Sequence, residues 1–191
     1  FKLDPTNDWD DELVAELART GAVESVDFKG YYKGTVVDTL PEPALYERVL
    51  GALPEAWIED PHDEPQIRAL LERDGHLARV SYDAPIHSVE DILALPIAPK
   101  MVNVKPSRLG GLRPLLAAYE HCEANGIGMY GGGQFELGPG RGQIQYLASL
   151  FHADAPNDTA PGGYNDTEPA AGLPTSPLPV AVSDIGFRWD A

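Results

Sequence analysis

Residues 56–83 read Ala-Trp-Ile-Glu-Asp-Pro-His-Asp-Glu-Pro-Gln-Ile-Arg-Ala-Leu-Leu-Glu-Arg-Asp-Gly-His-Leu-Ala-Arg-Val-Ser-Tyr-Asp, and this stretch decides the fold class. Its short apolar run Ala56 to Glu59 predicts a strand, residues 64–74 predict a helix closed by Gly75, and Ala78 to Asp83 predict a second strand. The same rhythm extends in both directions. Further strands are predicted at Phe1 to Asp4, Val23 to Lys29, Met101 to Lys105 and Ile127 to Gly131. Helices are predicted at Asp8 to Thr20, Pro43 to Leu53, Ser88 to Leu95, Leu112 to Asn125 and Gln143 to Phe151, with Gly21, Gly75 and Gly126 where helix-ending glycines belong. Alternating β and α elements imply an α/β fold with a parallel sheet and helical crossovers.

Charged residues fall at the strand ends: Lys2 and Asp4, Asp27 and Lys29, Glu59 and Asp60, Asp83, then Lys105. The intervals of 32 residues from Asp27 to Glu59, 24 to Asp83 and 22 to Lys105 each fit one strand, one helix and two loops. In a parallel α/β protein that register delivers the side chains to one rim, where the chemistry collects. Carboxylates converging there repel one another unless a cation neutralises them, and hard oxygen donors suit Mg²⁺. A lysine nearby can serve as a base if its pKa is lowered. The bland alternative for any one of these acids is a loop or helix cap; several in register outweigh it.

The chain has 191 residues and a formal net charge of −16, from 14 basic and 30 acidic side chains. It is long enough for one sizeable core, and a composition 43% hydrophobic and 23% charged is that of a globular protein. The excess of carboxylates argues against nucleic acid or an anionic membrane surface as partner. No apolar run approaches the roughly 20 residues of a membrane span, and with no signal peptide at the start a soluble, cytoplasmic protein is expected. The single cysteine, Cys122, excludes an internal disulfide and any cysteine-rich zinc site. Residues 1–151 are expected to form one α/β domain, and residues 152–191, with six prolines, a segment that packs back on it through Val180 to Trp189.

The segments Val26-Asp-Phe-Lys-Gly, Trp57-Ile-Glu-Asp-Pro, Ser81-Tyr-Asp-Ala-Pro, Val102-Asn-Val-Lys-Pro-Ser-Arg-Leu-Gly-Gly-Leu and Gly128-Met-Tyr-Gly-Gly-Gly-Gln-Phe-Glu-Leu-Gly together resemble the barrel domain of the enolase superfamily. The muconate-lactonising enzyme and o-succinylbenzoate synthase branch is nearest in pattern. The resemblance covers residues 1–151 and implies a partial TIM-type (β/α)₇β barrel that begins at its second strand. The first strand and an α+β capping domain would precede Phe1, so these 191 residues alone, with that strand edge open, are expected to be poorly soluble or oligomeric; a homo-oligomer is expected of the full-length protein. By the same resemblance Asp27, Glu59 and Asp83 hold Mg²⁺, Lys105 is the acid/base lysine, and Glu136 is a pocket-lining carboxylate. The implied reaction is a lyase or isomerase step (racemase, cycloisomerase or dehydratase) on a small carboxylate substrate. Its α-proton is removed and the metal stabilises the enediolate.

Two departures stand out. Where the family's second strand ends Lys-x-Lys, this chain has Lys2-Leu3-Asp4; where its third strand has Asp-x-Asn, this chain has Asp27-Phe28-Lys29. Two readings follow. Lys29 is a relocated second base, with Lys2 as electrostatic partner and Asp4 at the substrate; or Asp4 and Lys29 form a structural ion pair. An acid-sugar dehydratase and a non-catalytic metal-binding barrel are the alternatives to the leading function.

Other features carry less. Residues 131–142 resemble a phosphate loop only loosely, matching neither Gly-x-x-x-x-Gly-Lys-Ser/Thr nor Gly-x-Gly-x-x-Gly, and read better as a pocket-lining loop. His62 and His87 read as loop histidines more readily than as substrate contacts. Leu115, Leu116, Tyr119 and Cys122 have core spacing on a helix, which makes Cys122 a packed thiol.

Overall fold

A computed structural model describes residues 1–134, 136, 139–158, 167–168 and 171–172. The elements run β1 (Lys2–Leu3), α1 (Asp11–Arg19), β2 (Ser25–Asp27), α2 (Pro43–Ala52), β3 (Trp57–Glu59), α3 (Pro65–Arg73), a 3₁₀ turn (His76–Arg79), β4 (Val80–Tyr82), α4 (Val89–Leu93), β5 (Met101–Val104), α5 (Pro106–Leu109), α6 (Leu112–Asn125), β6 (Gly128–Gly131) and α7 (Pro139–Phe151). The order matches the alternation predicted from the sequence. The chain divides into two compact units, one of residues 1–85 with 90–101, the other of 86–89 with the described residues from 102 onward. The expected docking of Val180 to Trp189 lies outside the described residues.

In the first unit β1, β2, β3 and β4 lie side by side in chain order, and all three pairings are parallel. The register sets Asp27 level with Glu59, and Glu59 level with Ser81, so the acid of the next strand, Asp83, follows two residues further on. The helices between cover the strands with one apolar face each. Helix α2 buries Leu45, Tyr46, Val49 and Leu50, and α3 buries Ile67, Leu70 and Leu71. Both helices start at a proline, Pro43 and Pro65, whose fixed φ and missing N–H suit the first helical position, and neither has a side-chain cap. Helix α1 is capped by Asp10, whose carboxylate accepts from the Leu13 N–H at 2.8 Å. Phe28, just past β2, stacks on Tyr46 with ring centroids 3.8 Å apart, tying strand to helix.

The second unit centres on α6, whose buried residues are Leu115, Ala118, Tyr119 and Cys122. Leu116 differs from its expected core position: it is 45% exposed, because Ala118 completes a narrower stripe. Cys122 is fully buried, and burial pushes its thiol pKa up to about 11, so it is the packed, unreactive thiol expected. Helix α7 begins at Pro139, four residues before the predicted start at Gln143.

Beyond α7 the chain returns to β6. The Asp158 N–H donates to the Gly131 carbonyl, and the Asn157 carboxamide oxygen accepts from both the Gly131 N–H and His152 Nδ1, each at 2.7 Å. Burial holds the His152 pKa below its ordinary value. The unfolded chain therefore takes up a proton near pH 6.5 while the folded chain does not, so His152 contributes stability above that pH that is lost as pH falls below it. Thermal unfolding from pH 7.5 to 5.5 is expected to show a steeper loss for the native chain than for His152→Gln; parallel profiles would contradict the assignment.

Candidate functional site

The site is built where β2, β3 and β4 end. Asp27 closes β2 and Glu59 closes β3; both side chains are fully buried, as is Asp60, while Asp83 is 1% exposed. Backbone pairing continues past the strands: Phe28 N–H donates to Glu59 O at 3.0 Å, Gly30 N–H to Asp60 O at 2.8 Å, and Asp60 N–H to Ser81 O at 3.0 Å. Asp27 and Glu59 are thereby fixed in the sheet, and Asp60 is tied to it by its backbone. Carboxylate oxygens of Asp27, Glu59 and Asp60 lie within 4.8 Å of one another. Among the described residues this group includes Asp60, whereas the sequence pointed to Asp83 as the third ligand. Asp83 lies beside the group, and its charge acts on Glu59 and Asp60.

Lys2 and Lys29 supply positive charge. Lys2 Nζ donates to Glu59 Oε1 at 2.6 Å and lies 3.1 Å from Asp27 Oδ2. Lys29 Nζ lies 2.5 Å from Asp27 Oδ2 and 3.2 Å from Asp4 Oδ1, so the Asp4–Lys29 ion pair is present and shared with Asp27. Lys29 sits past the end of β2 with left-handed φ of 57°, where its N–H donates to Asp27 Oδ1 at 3.0 Å. Burial draws the Lys29 pKa down, but the charge of Asp27 and the hydrogen bond to it outweigh that pull, and the amine is held protonated above its ordinary range.

Burial likewise dominates the carboxyls. Glu59 is pushed up to about 8 by desolvation, opposed by Lys2 and reinforced by Asp27, Asp83 and Asp60. Asp60 is pushed up to about 7, again by desolvation first and Asp27 next. Hard oxygen donors gathered this closely, with their charge resisted by burial, fit a divalent cation such as Mg²⁺. Asp60 was named in the sequence only as a strand-end acid. It takes a left-handed φ of 44°, at a cost of roughly 1–2 kcal/mol for a non-glycine residue that Asp bears better than most, and its role depends on that turn of the backbone.

His62 follows β3 and is buried by structural partners. Its Nδ1 accepts from Tyr46 Oη and its Nε2–H faces Thr39 O, both at 2.9 Å, while Tyr46 Oη accepts from the His62 N–H. These bonds assign the tautomer and leave His62 as a clamp on the loop after β2.

In the second unit Lys105 follows β5 and is 7% exposed. Asn103 precedes it by two residues on the same strand face, fully buried. Gly132, just past β6, packs so closely that a methyl group there would lie 2.6 Å from Asn103 Oδ1 and 2.6 Å from Lys105 Cε. Glu136 Oε2 accepts from the Gln134 N–H at 2.5 Å. Burial raises the Glu136 carboxyl, but hydrogen bonds from Ser107 and the backbone, with the Arg141 charge, bring it below the ordinary carboxylate value. Glu136 lines a cavity of about 390 Å³ with Ser107, Gly111, Leu115, Gln143 and Ile144.

Parallel strands in chain order, helical crossovers, and acids at successive strand ends define a partial TIM-type barrel of the enolase-superfamily kind, in the muconate-lactonising and o-succinylbenzoate synthase-like branch. Within that class the chain belongs to the family described as the C-terminal domain of DUF8230, a domain of unknown function, which matches residues 1–166. It is similar to an N-succinylamino acid racemase from Amycolatopsis sp., 30% identical over 104 residues that cover 46% of this chain and 28% of the relative. It is also similar to an o-succinylbenzoate synthase from Bacillus subtilis strain 168, 39% identical over 59 residues, 31% of this chain and 16% of the relative. Among solved structures, a probable mandelate racemase from Alicyclobacillus acidocaldarius superposes with a TM-score of 0.58 at 28% identity, covering 77% of this chain and 38% of that one. The chain thus spans less than a third of the length of these two curated relatives. Among the described residues no helix is long and apolar enough to cross a membrane.

Proposed function

We propose that this chain is the barrel portion of a Mg²⁺-dependent isomerase or lyase that removes the proton α to a carboxylate of a small molecule. The observation that carries this reading is the buried group of Asp27, Glu59 and Asp60, with Asp83 beside it, at the ends of consecutive parallel strands. Asp27 and Glu59, with Asp83 or Asp60, would hold the cation. When bound, it supplies a fixed positive charge that offsets the negative charge developing on the substrate as the proton leaves. Lys105 takes the α-proton and, with a single base, returns it or passes it to the leaving group. Lys2, ion-paired with Glu59 and Asp27, lends a second positive charge to the substrate carboxylate. Lys29, paired with Asp27 and Asp4, serves as a charge clamp, which leaves one base and favours elimination or cycloisomerisation over two-base racemisation.

The test uses the full-length protein and two readouts. Mg²⁺ at a hundred times its Kd should stabilise the chain by about 2.7 kcal/mol, a shift that Glu59→Gln removes. Incubation in D₂O with N-succinylamino acids, the substrates suggested by one relative's name, should exchange the α-proton only when Mg²⁺ is present. A Mg²⁺ shift without exchange, over a panel that includes acid sugars, would favour the second reading. That reading is a metal-binding barrel without turnover, and Lys2-Leu3-Asp4 in place of Lys-x-Lys supports it. The absence of any Mg²⁺ shift would overturn both.

A further inference from the structure

The acid that the family pattern does not single out is bonded to the strands on both sides. Asp60 engages the ends of β2 and β4 with every hydrogen-bonding group it has. Its N–H donates to Ser81 O at 3.0 Å, and its carbonyl accepts from Gly30 N–H at 2.8 Å. Its carboxylate spans the turn that leaves β4, Oδ1 accepting from the Asp83 N–H at 2.9 Å and Oδ2 from the Ala84 N–H at 2.8 Å. The left-handed φ of 44° swings the side chain out of the strand's line toward that turn. Pro61 follows at once, so the Asp60–Pro61 peptide offers no N–H that could serve in place of the carboxylate.

We infer that Asp60 is the positioning residue for Asp83: its carboxylate fixes the backbone of residues 83–84 and thereby aims the Asp83 side chain at the group formed with Asp27 and Glu59. Each Asp60 oxygen accepts one N–H of residues 83–84, which commits the carboxylate to the turn after β4. On this assignment Asp60 contributes geometry and charge, and Asp83 is the third ligand. The inference rests on the proposed metal site for its purpose, but its structural half stands alone.

The experiment follows amide hydrogen exchange at Asp83 and Ala84 in the full-length chain, without added metal, alongside Mn²⁺ titration followed by electron paramagnetic resonance. Asp60→Ala should speed exchange of both amides by about tenfold or more, the loss of two charge-assisted bonds. Asp60→Asn, which keeps one acceptor oxygen, should release one amide and spare the other. Mn²⁺ should still bind one-to-one to Asp60→Asn, with affinity lowered about tenfold. If Asp60→Ala does not fold, Asp60→Asn carries the test. Unchanged protection of both amides in either variant overturns the inference. So does abolished Mn²⁺ binding in Asp60→Asn with both amides still protected, which would make Asp60 a ligand. Failure of the native protein to bind Mn²⁺ would overturn the metal reading, while the amide rates would still decide whether Asp60 holds the turn.

Discussion

Lys105→Met is expected to lower α-proton exchange by at least about a hundredfold, the range of a positioned general base, while leaving the Mg²⁺-dependent thermal shift intact. The substitution keeps the length and apolar stem of a side chain that is 7% exposed and removes only its amine. The carboxylates proposed to hold the cation belong to the other compact unit, each placed by its own strand, so they have no need of Lys105 to stay in position. Lys29→Met should leave exchange from either enantiomer near the native rate, because an amine held protonated between Asp27 and Asp4 is a poor proton acceptor. Retained exchange in Lys105→Met, or loss from one enantiomer only in Lys29→Met, would restore the two-base reading.

Gly30→Ala is expected to be the most destabilising single methyl group in the first unit. A Cβ there would lie 2.6 Å from His62 N and 2.7 Å from both His62 Cα and Pro61 C, all backbone atoms. They cannot retreat easily. Gly30 is bonded to Asp60 O, and His62 is held by Tyr46 and Thr39 on either side. Overpacking against unyielding backbone costs about 3 kcal/mol, which for a chain of this length lowers Tm by roughly 6–12 °C. Gly34→Ala is the control: its φ of +76° makes alanine mildly unfavourable, but nothing lies within 4 Å of the new methyl group. Equal losses from the two substitutions would show that conformational preference, not the close approach, governs Gly30.

Much of this architecture was legible because short strands leave simple traces. β2, β3 and β4 are three residues each, and the apolar runs that mark them end on the very acids that matter. Pro43 and Pro65 announced two helix starts, and Gly21, Gly75 and Gly126 take the positive φ expected of helix-ending glycines. Pro139 did not, because Gly140 and Gly142 weaken the first turn and hid four helical residues from a propensity reading. The Asp4–Lys29 pair could be anticipated from alternation along the strands, but the stronger contact of Lys29 with Asp27 could not. It depends on a left-handed residue after β2, which breaks the alternation. Asp60 escaped for the same reason. A carboxylate that reaches across to the next strand's exit looks, in one dimension, like any acid after a strand.

The ladder that continues beyond β2 and β3 has a bearing on engineering. Phe28, Gly30 and Asp60 are stitched to their neighbours by main-chain bonds, and Thr39 is pinned at the far side of the loop by its hydroxyl to Phe28 O and its carbonyl to His62. Between these two anchors the stretch from Lys33 to Asp38 is exposed, Val36 completely so. With the anchors outside it, that span can be exchanged for segments of other lengths and chemistries as a cassette while the acids stay where their own strands hold them.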